Sequence, residues 1–192
     1  MNQALAGFVA AYGFKGPPYP TSRDLVRHLT AVTPDSVRYA SADLFESITL
    51  WDLRTDRATA VRRADGKYEV TIRGVARKVR VDSLGIQHDV PMADLVDVGV
   101  FGAGGALGEP LYLGKVWIRS GEPVVTVVVD QAPARAGIDP YVKLIDRDRR
   151  DNVVAVAPID ESVQAEGGNT QRAWRPMLQW TARPTSVRVA QE

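Results

Sequence analysis

Hydrophobic positions divide the chain into two regimes. Through the first fifty residues they recur at helical spacing, with Leu5, Phe8, Val9 and Tyr12 on one face. Gly13 and the run Gly16-Pro17-Pro18-Tyr19-Pro20 end that helix, because proline has no amide hydrogen to donate and clashes in a helix interior. Thr21 or Ser22 caps a second short helix through Leu25, Val26 and Leu29. Thr33-Pro34-Asp35 predicts the start of a third: a capping hydroxyl, proline in the first turn and a carboxylate at the positive end of the dipole. Val37, Ala40, Leu44 and Ile48 then share a face.

After Trp51 the period becomes two. Tyr68, Val70 and Ile72 face one way, and beyond Gly74 the apolar set passes to Val75, Val79 and Val81, of opposite parity. A one-residue slip would turn the core face to water, so this switch predicts a β-bulge at or near Gly74. Asp65-Gly66 predicts a type I′ hairpin pairing this strand with Ile48 to Arg62. Four further strands are predicted. Ile86, His88, Val90 and Met92 alternate, with Pro91 confining that strand to an edge. Val96, Val98 and Val100 form the next. Leu111, Leu113 and Trp117 lie opposite Tyr112, Val116 and Ile118 in the third, and Val124 to Val129 follows a Ser120-Gly121 turn. The whole predicts an α+β, mainly β chain: a helical segment over 1–47, an antiparallel β-sandwich over 48–152, and an extension over 153–192. Within the extension, 164–172 reads as a polar linker, and Trp174, Met177, Leu178 and Trp180 as an apolar knot.

Composition narrows the chemistry. At 192 residues the chain is one domain, or one with an appendage. The absence of cysteine excludes disulfide frameworks, Cys-ligated zinc and thiol nucleophiles. Lys plus Arg is 24 and Asp plus Glu is 23, a net charge of +1 without a long basic run. That argues against a nucleic-acid partner held by phosphate neutralisation. The longest apolar run, Val124 to Val129, is far short of the roughly 20 residues a membrane-spanning helix needs. Asn2 to Tyr12 is amphipathic, unlike a signal peptide.

An ordered series of motifs carries a resemblance. Gly16-Pro17-Pro18-Tyr19-Pro20-Thr21-Ser22 comes first, then Thr33-Pro34-Asp35-Ser36, Asp43-Leu44-Phe45-Glu46 and Asp65-Gly66-Lys67-Tyr68. Ala136-Gly137-Ile138-Asp139-Pro140-Tyr141 follows, with Leu144-Ile145-Asp146-Arg147 and Asp151-Asn152. From about Asn2 to about Asn152 the chain resembles the C-terminal end of bacterial membrane proteins that fuse an ABC-type permease to an aminopeptidase-N-like zinc metallopeptidase domain. The residues after Val153 fall outside that resemblance. It implies the last helices of a peptidase domain followed by an immunoglobulin- or fibronectin-like sandwich. It also implies a non-catalytic accessory role, the upstream peptidase domain of the same polypeptide as partner, and a parent protein in the bacterial inner membrane. The family's zinc is held by a His-Glu-x-x-His helix with a second Glu, and a Tyr assists catalysis. Here His28 is followed by Leu29 and His88 by Asp89, so the motif is absent. Zinc is therefore expected only upstream, and no catalytic, cofactor-binding or metal-binding residue is carried onto this chain.

Other candidate sites have simpler readings. His88 alternates with Ile86, Val90 and Met92, and a metal site needs three or four ligands, so it reads as a packed or half-exposed side chain. Gly102-Ala103-Gly104-Gly105-Ala106-Leu107-Gly108 follows an apolar strand, but its spacing does not fit a dinucleotide loop and a strand follows it. Asp139, Asp146, Asp148, Asp151 and Asn152 offer oxygens that calcium favours. They lack the glycine and distal Glu of an EF-hand loop, and Arg147, Arg149 and Arg150 are interleaved. Turn formation and Asp–Arg pairing follow, and the resemblance implies a structural role for this segment, bracing the sandwich against its neighbour domain. Arg62, Arg63, Arg73, Arg77, Lys78 and Arg80 read as a solvated face, and no Gly-x-Ser-x-Gly elbow is present. A second functional class is an independent sandwich module binding protein or carbohydrate through an exposed aromatic patch drawn from Trp51, Trp117, Trp174 or Trp180.

Overall fold

The computed structural model describes residues 2–158 and 187–190. Among the described residues, helices α1 (Asn2–Tyr12) and α2 (Ser22–Ala31), a 3-10 turn (Asp35–Val37) and α3 (Tyr39–Phe45) precede nine strands. These are β1 (Ile48–Arg62), β2 (Tyr68–Val81), β3 (Gln87–Asp89), β4 (Ala93–Phe101), β5 (Pro110–Arg119), β6 (Val124–Val129), β7 (Arg135–Ile138), β8 (Val153–Pro158) and β9 (Val187–Ala190). The chain is mainly β and divides into two units. One holds the described residues up to Thr49 together with Arg80–His88, and the other Leu50–Val79 with the described residues from Asp89 onward.

In the first unit the Gly-Pro run breaks the chain where expected, and Thr21 caps α2. The Asp24 carboxylate accepts hydrogen bonds from the Thr21 backbone N–H and from its Oγ1, both at 2.8 Å. These bonds hold the Asp24 carboxyl below the ordinary carboxylate range. An aromatic cluster joins α1 to α2: the His28 ring lies 5.8 Å from Phe8 and 6.0 Å from Tyr12, edge-on to both. A 3-10 turn follows Pro34 and α3 begins only at Tyr39; Thr33 is not its cap, since its Oγ1 donates back to the Leu29 carbonyl of α2 at 2.8 Å. Ile48 leaves the helical face and starts β1. Arg80 reaches the buried Asp43 carboxylate of α3 at 3.0 Å. Asp82 organises the turn after β2, accepting from the Leu84 and Ile86 amides at 2.9 Å each.

The second unit is one curled sheet with strand order β5-β4-β7-β8-β1-β2-β6-β9, and β3 pairs with β2. Its pairing is mixed: β8 runs parallel to β1, with Ala58 opposite Val156, whereas β4–β5, β4–β7, β7–β8, β2–β6 and β6–β9 are antiparallel. The wholly antiparallel arrangement predicted from spacing is replaced by this mixed sheet. Its curl follows from the core. Val116 and Ile118 of β5 share one apolar cluster with Val70 and Ile72 of β2 and Val125 and Val127 of β6. In a flat sheet at about 4.8 Å per strand, β5 and β6 would lie roughly 30 Å apart.

Local departures from the sequence reading have physical causes. The β1–β2 turn closes through Arg63 N–H to Lys67 O at 2.8 Å and Gly66 N–H to Arg63 O at 3.0 Å. Gly66 has φ +83°, but Asp65 is not left-handed. The turn is thus a type I turn followed by a left-handed glycine, not type I′. The bulge expected near Gly74 is not on the β6 side: register runs unbroken from Tyr68↔Val129 to Arg73↔Val124 and on to Ala76↔Gly121. The inward positions simply become small or charged, as Gly74, Ala76 and Lys78. A parity break falls instead on β1, where Asp56 and Arg57 are both exposed between buried Thr55 and buried Ala58. Only Gln87–Asp89 of the expected 86–92 strand pairs. β7, β8 and β9 were not anticipated, and β8 sits inside the sheet.

Gly74 of β2 lies tight against β1. An added Cβ there would come within 2.2 Å of the Arg54 carbonyl oxygen and 3.1 Å of Ile138 Cδ1. Gly74→Ala should lower stability by about 1–3 kcal/mol, read as a lower urea midpoint at unchanged slope. Gly16→Ala, at a position open to solvent, should leave the midpoint unchanged.

Candidate functional site

A buried ion pair lies in the β body. Lys78 keeps the inward parity of Val70 and Ile72, and Asp94 that of Val96, Val98 and Val100. Their side chains are 6% and 5% exposed, and Lys78 Nζ lies 3.1 Å from both Asp94 carboxylate oxygens. Trp51 Nε1 donates to Asp94 Oδ2 at 2.7 Å, and the ammonium stands 5.6 Å from the indole centroid. Burying two charges is costly unless each finds partners, and here the carboxylate has three donated hydrogen bonds. Two expectations are overturned. Trp51 is 3% exposed and joins no surface patch, and Lys78 is no part of a solvated face. Arg62, Arg63, Arg73, Arg77 and Arg80 are exposed as expected. Arg77 pairs with Asp89 at 2.6 Å, and Arg63 lies 3.5 Å from both Asp65 and Glu69.

The acidic motif from Asp139 to Asn152 forms the connection between β7 and β8. Asp139 and Asp146 are buried, and their carboxylate oxygens accept backbone amides. Asp139 takes the N–H groups of Lys143 and Leu144 at 3.0 Å each. Asp146 takes those of Leu53 at 2.9 Å and Asp148 at 3.0 Å. Asp139 itself adopts a left-handed backbone, φ +47°. Burial pushes the Asp146 carboxyl up despite the amides it accepts, and burial with neighbouring Asp148 raises Asp151. Asn152 Nδ2 donates to Ile138 O at 3.1 Å. Among the described residues no group of three or more His, Asp or Glu is arranged to hold a metal ion.

On the opposite sheet face, Asp97 receives two ammonium groups. Lys115 Nζ lies 2.6 Å from Oδ1, and Lys143 Nζ bonds Oδ2. Burial pushes the Asp97 carboxyl up, but hydrogen bonds and charge from both lysines outweigh it and hold the group below its ordinary range. Tyr141 lies under Lys143 and edge-on to Phe101, with ring centroids 6.2 Å apart.

Beside the β7–β8 connection lies a cleft of about 310 Å³ lined by Arg135, Arg149 and Arg150 together with Leu107, Pro140 and Val153. The sequence reading paired Arg149 and Arg150 with neighbouring acids and did not single out Arg135. Arg150 does lie 3.3 Å from exposed Asp148, but Arg135 donates to the Ala106 carbonyl. A legible signal was present: Arg147, Arg149 and Arg150 outnumber the acid among them. Arg135 could be added only from the strand pairing of β7 with β8.

The remaining candidates are structural. His88 is exposed, with Nε2 3.0 Å from Asp82 Oδ2. The Gly102–Gly108 segment links β4 to β5, closed by Gly102 N–H to Glu109 O at 2.8 Å. A strand follows it, so no helix N-terminus is offered to a phosphate there. Trp117 is 43% exposed on β5. Trp174, Met177, Leu178, Trp180 and the 164–172 linker lie outside the described residues. Comparison of the chain with family models, curated proteins and solved structures gave no match.

Replacing Asp139 or Asp146 by Asn puts an amide where a backbone N–H needs an acceptor. Each change should cost about 1–3 kcal/mol, at roughly 2–4 °C of melting temperature per kcal/mol. Unchanged melting curves would remove the bracing role. Asp97 has a lowered folded pKa, so its stabilisation is complete above its unfolded value of about 3.9 and is lost as pH falls through the lower folded value. In urea titrations from neutral to acid pH, Asp97→Asn should remove that part of the acid-side decline.

Proposed function

We propose that this chain is the non-catalytic C-terminal module of a membrane-linked zinc aminopeptidase, docked through its helices on the upstream peptidase domain. The curled sheet would be the counterpart of the family's terminal sandwich. One observation carries the reading beyond the motif resemblance. Among the described residues of the helical unit, Ala4 is the only buried apolar side chain. α2 buries nothing, while Leu5 and Val9 of α1 and Leu44 and Phe45 of α3 are exposed. Three helices with such a face have little apolar burial of their own to hold them, and helical stability in proteins comes chiefly from packing an amphipathic face. The upstream peptidase domain would supply that surface, and the zinc and its ligands would belong to that domain.

A second reading is an independent module binding a protein or carbohydrate. Leu113 and Trp117, exposed on one face of β5, favour it. The two readings part at the reading frame upstream of Met1. An in-frame His-Glu-x-x-His motif with membrane spans supports the docked module, and a separate start codon with its own promoter supports the other.

The purified chain with added zinc should show no aminopeptidase turnover. Joined to the upstream peptidase domain, it should form a stable complex that Val9→Glu weakens. Robust turnover by the chain alone, or a complex indifferent to Val9→Glu and Phe45→Glu, would overturn the proposal.

A further inference from the structure

The geometry points to a binding site for a small organic oxyanion, a carboxylate or phosphate head on a short apolar chain, in the arginine-lined cleft of the β body. This inference is independent of the accessory-module reading. The cleft is built by three segments. β7 supplies Arg135 on the face opposite the core residues Ala136 and Ile138. The β7–β8 connection supplies Pro140, Arg149 and Arg150, and the β4–β5 connection supplies Leu107.

Each segment is held in place by its own bonds. The connection carrying Arg149 and Arg150 is pinned by the amides that Asp139 and Asp146 accept. Arg135 is tied to the β4–β5 connection through the Ala106 carbonyl. A carbonyl orients a guanidinium but does not neutralise it, so that contact leaves the Arg135 charge in place.

The lining carries three guanidinium groups and no carboxylate. Arg150 pairs with Asp148, which is outside the lining; both side chains are exposed, and such pairs are weak and screened. Neither Arg135 nor Arg149 pairs with a carboxylate among the described residues. Arginine presents a planar fork of donors that matches two oxygens of a carboxylate or phosphate, which is stronger and more directional than a point charge.

The same lining includes Leu107, Pro140 and Val153, which offer a ligand no hydrogen-bonding side chain. A lining that combines guanidinium forks with apolar side chains fits an amphiphilic anion better than a bare ion. The volume, about 310 Å³, sits at the small end of ligand sites, which run from roughly 300 to 1,000 Å³. It limits the guest to a head group and a few carbons.

Calorimetric titration of the full chain tests this with four probes: pentanoate, phenyl phosphate, inorganic phosphate and pentanol. Saturable one-to-one binding of pentanoate or phenyl phosphate is expected, tighter than that of inorganic phosphate, and weakened by added salt. Which of the two binds more tightly assigns the head group. Arg149→Gln and Arg150→Gln should each weaken binding about tenfold or more at unchanged melting temperature. Arg135→Lys, which keeps the charge but loses the fork, should also weaken it. Absence of saturable binding by both organic anions, equal binding of pentanol, or affinity unaltered in Arg149→Gln would overturn the assignment.

Discussion

A single buried hydroxyl holds the sheet at its least regular point. Thr55 Oγ1 of β1 donates to the Asn152 carbonyl at 2.7 Å and accepts the Ile138 amide at 3.1 Å. It therefore joins β1, the end of β7 and the residue that precedes β8. The Thr55 amide bonds the Asp151 carbonyl at 2.9 Å, and Ile138 also donates to Asn152 O at 3.0 Å. Here a parallel pair meets an antiparallel one, and backbone groups that a regular ladder would satisfy need other partners. The curl that brings β5 and β6 over one core depends on this junction holding β1 against β8.

Around that junction the protein places charge at chosen depths. The Lys78–Asp94–Trp51 group is sealed in the interior, with no oxygen of its carboxylate left to a ligand. Asp97 is sealed on the other face, but the two lysines that reach it stay half in water. The arginines of the cleft are the least neutralised of the three sets. This gradient separates structural charge from charge available to a guest. It also agrees with a scaffold reading, in which the β body contributes shape and a small anion subsite while peptide hydrolysis belongs to the proposed peptidase partner.

Much of the architecture was legible because period and parity are local properties. The Thr21 cap and the break after Tyr12 follow from residue type, and the long β1–β2 hairpin, β4, β5 and β6 from alternating side chains. What sequence could not give is which strands become neighbours. β7 has four residues, two of them Ala136 and Gly137, so it carries almost no periodic signal. β8 reads Val153-Val154-Ala155-Val156, a plausible strand, but nothing local says that it enters the sheet beside β1. The parity change after Gly74 was real in the sequence and misassigned, because a buried Lys78 looks like a surface residue until its partner on β4 is seen. Asp94 carried the better clue, a carboxylate in step with three inward valines. The arginine cleft was hidden for the same reason as the sheet order, since Arg135 meets Arg149 and Arg150 only after β7 and β8 have paired.

The parallel partnership of Ala58 with Val156 has a temporal consequence. β1 leaves the ribosome before its neighbour on one side, which is encoded roughly a hundred residues later, and pairings this distant form slowly because a long loop must close first. During synthesis the flank of β1 that awaits β8 is an unpaired strand border next to an apolar surface, the kind of feature that chaperones cover and stray strands adopt. The nascent chain is thus most vulnerable in the interval between completion of the β1–β2 hairpin and arrival of β8.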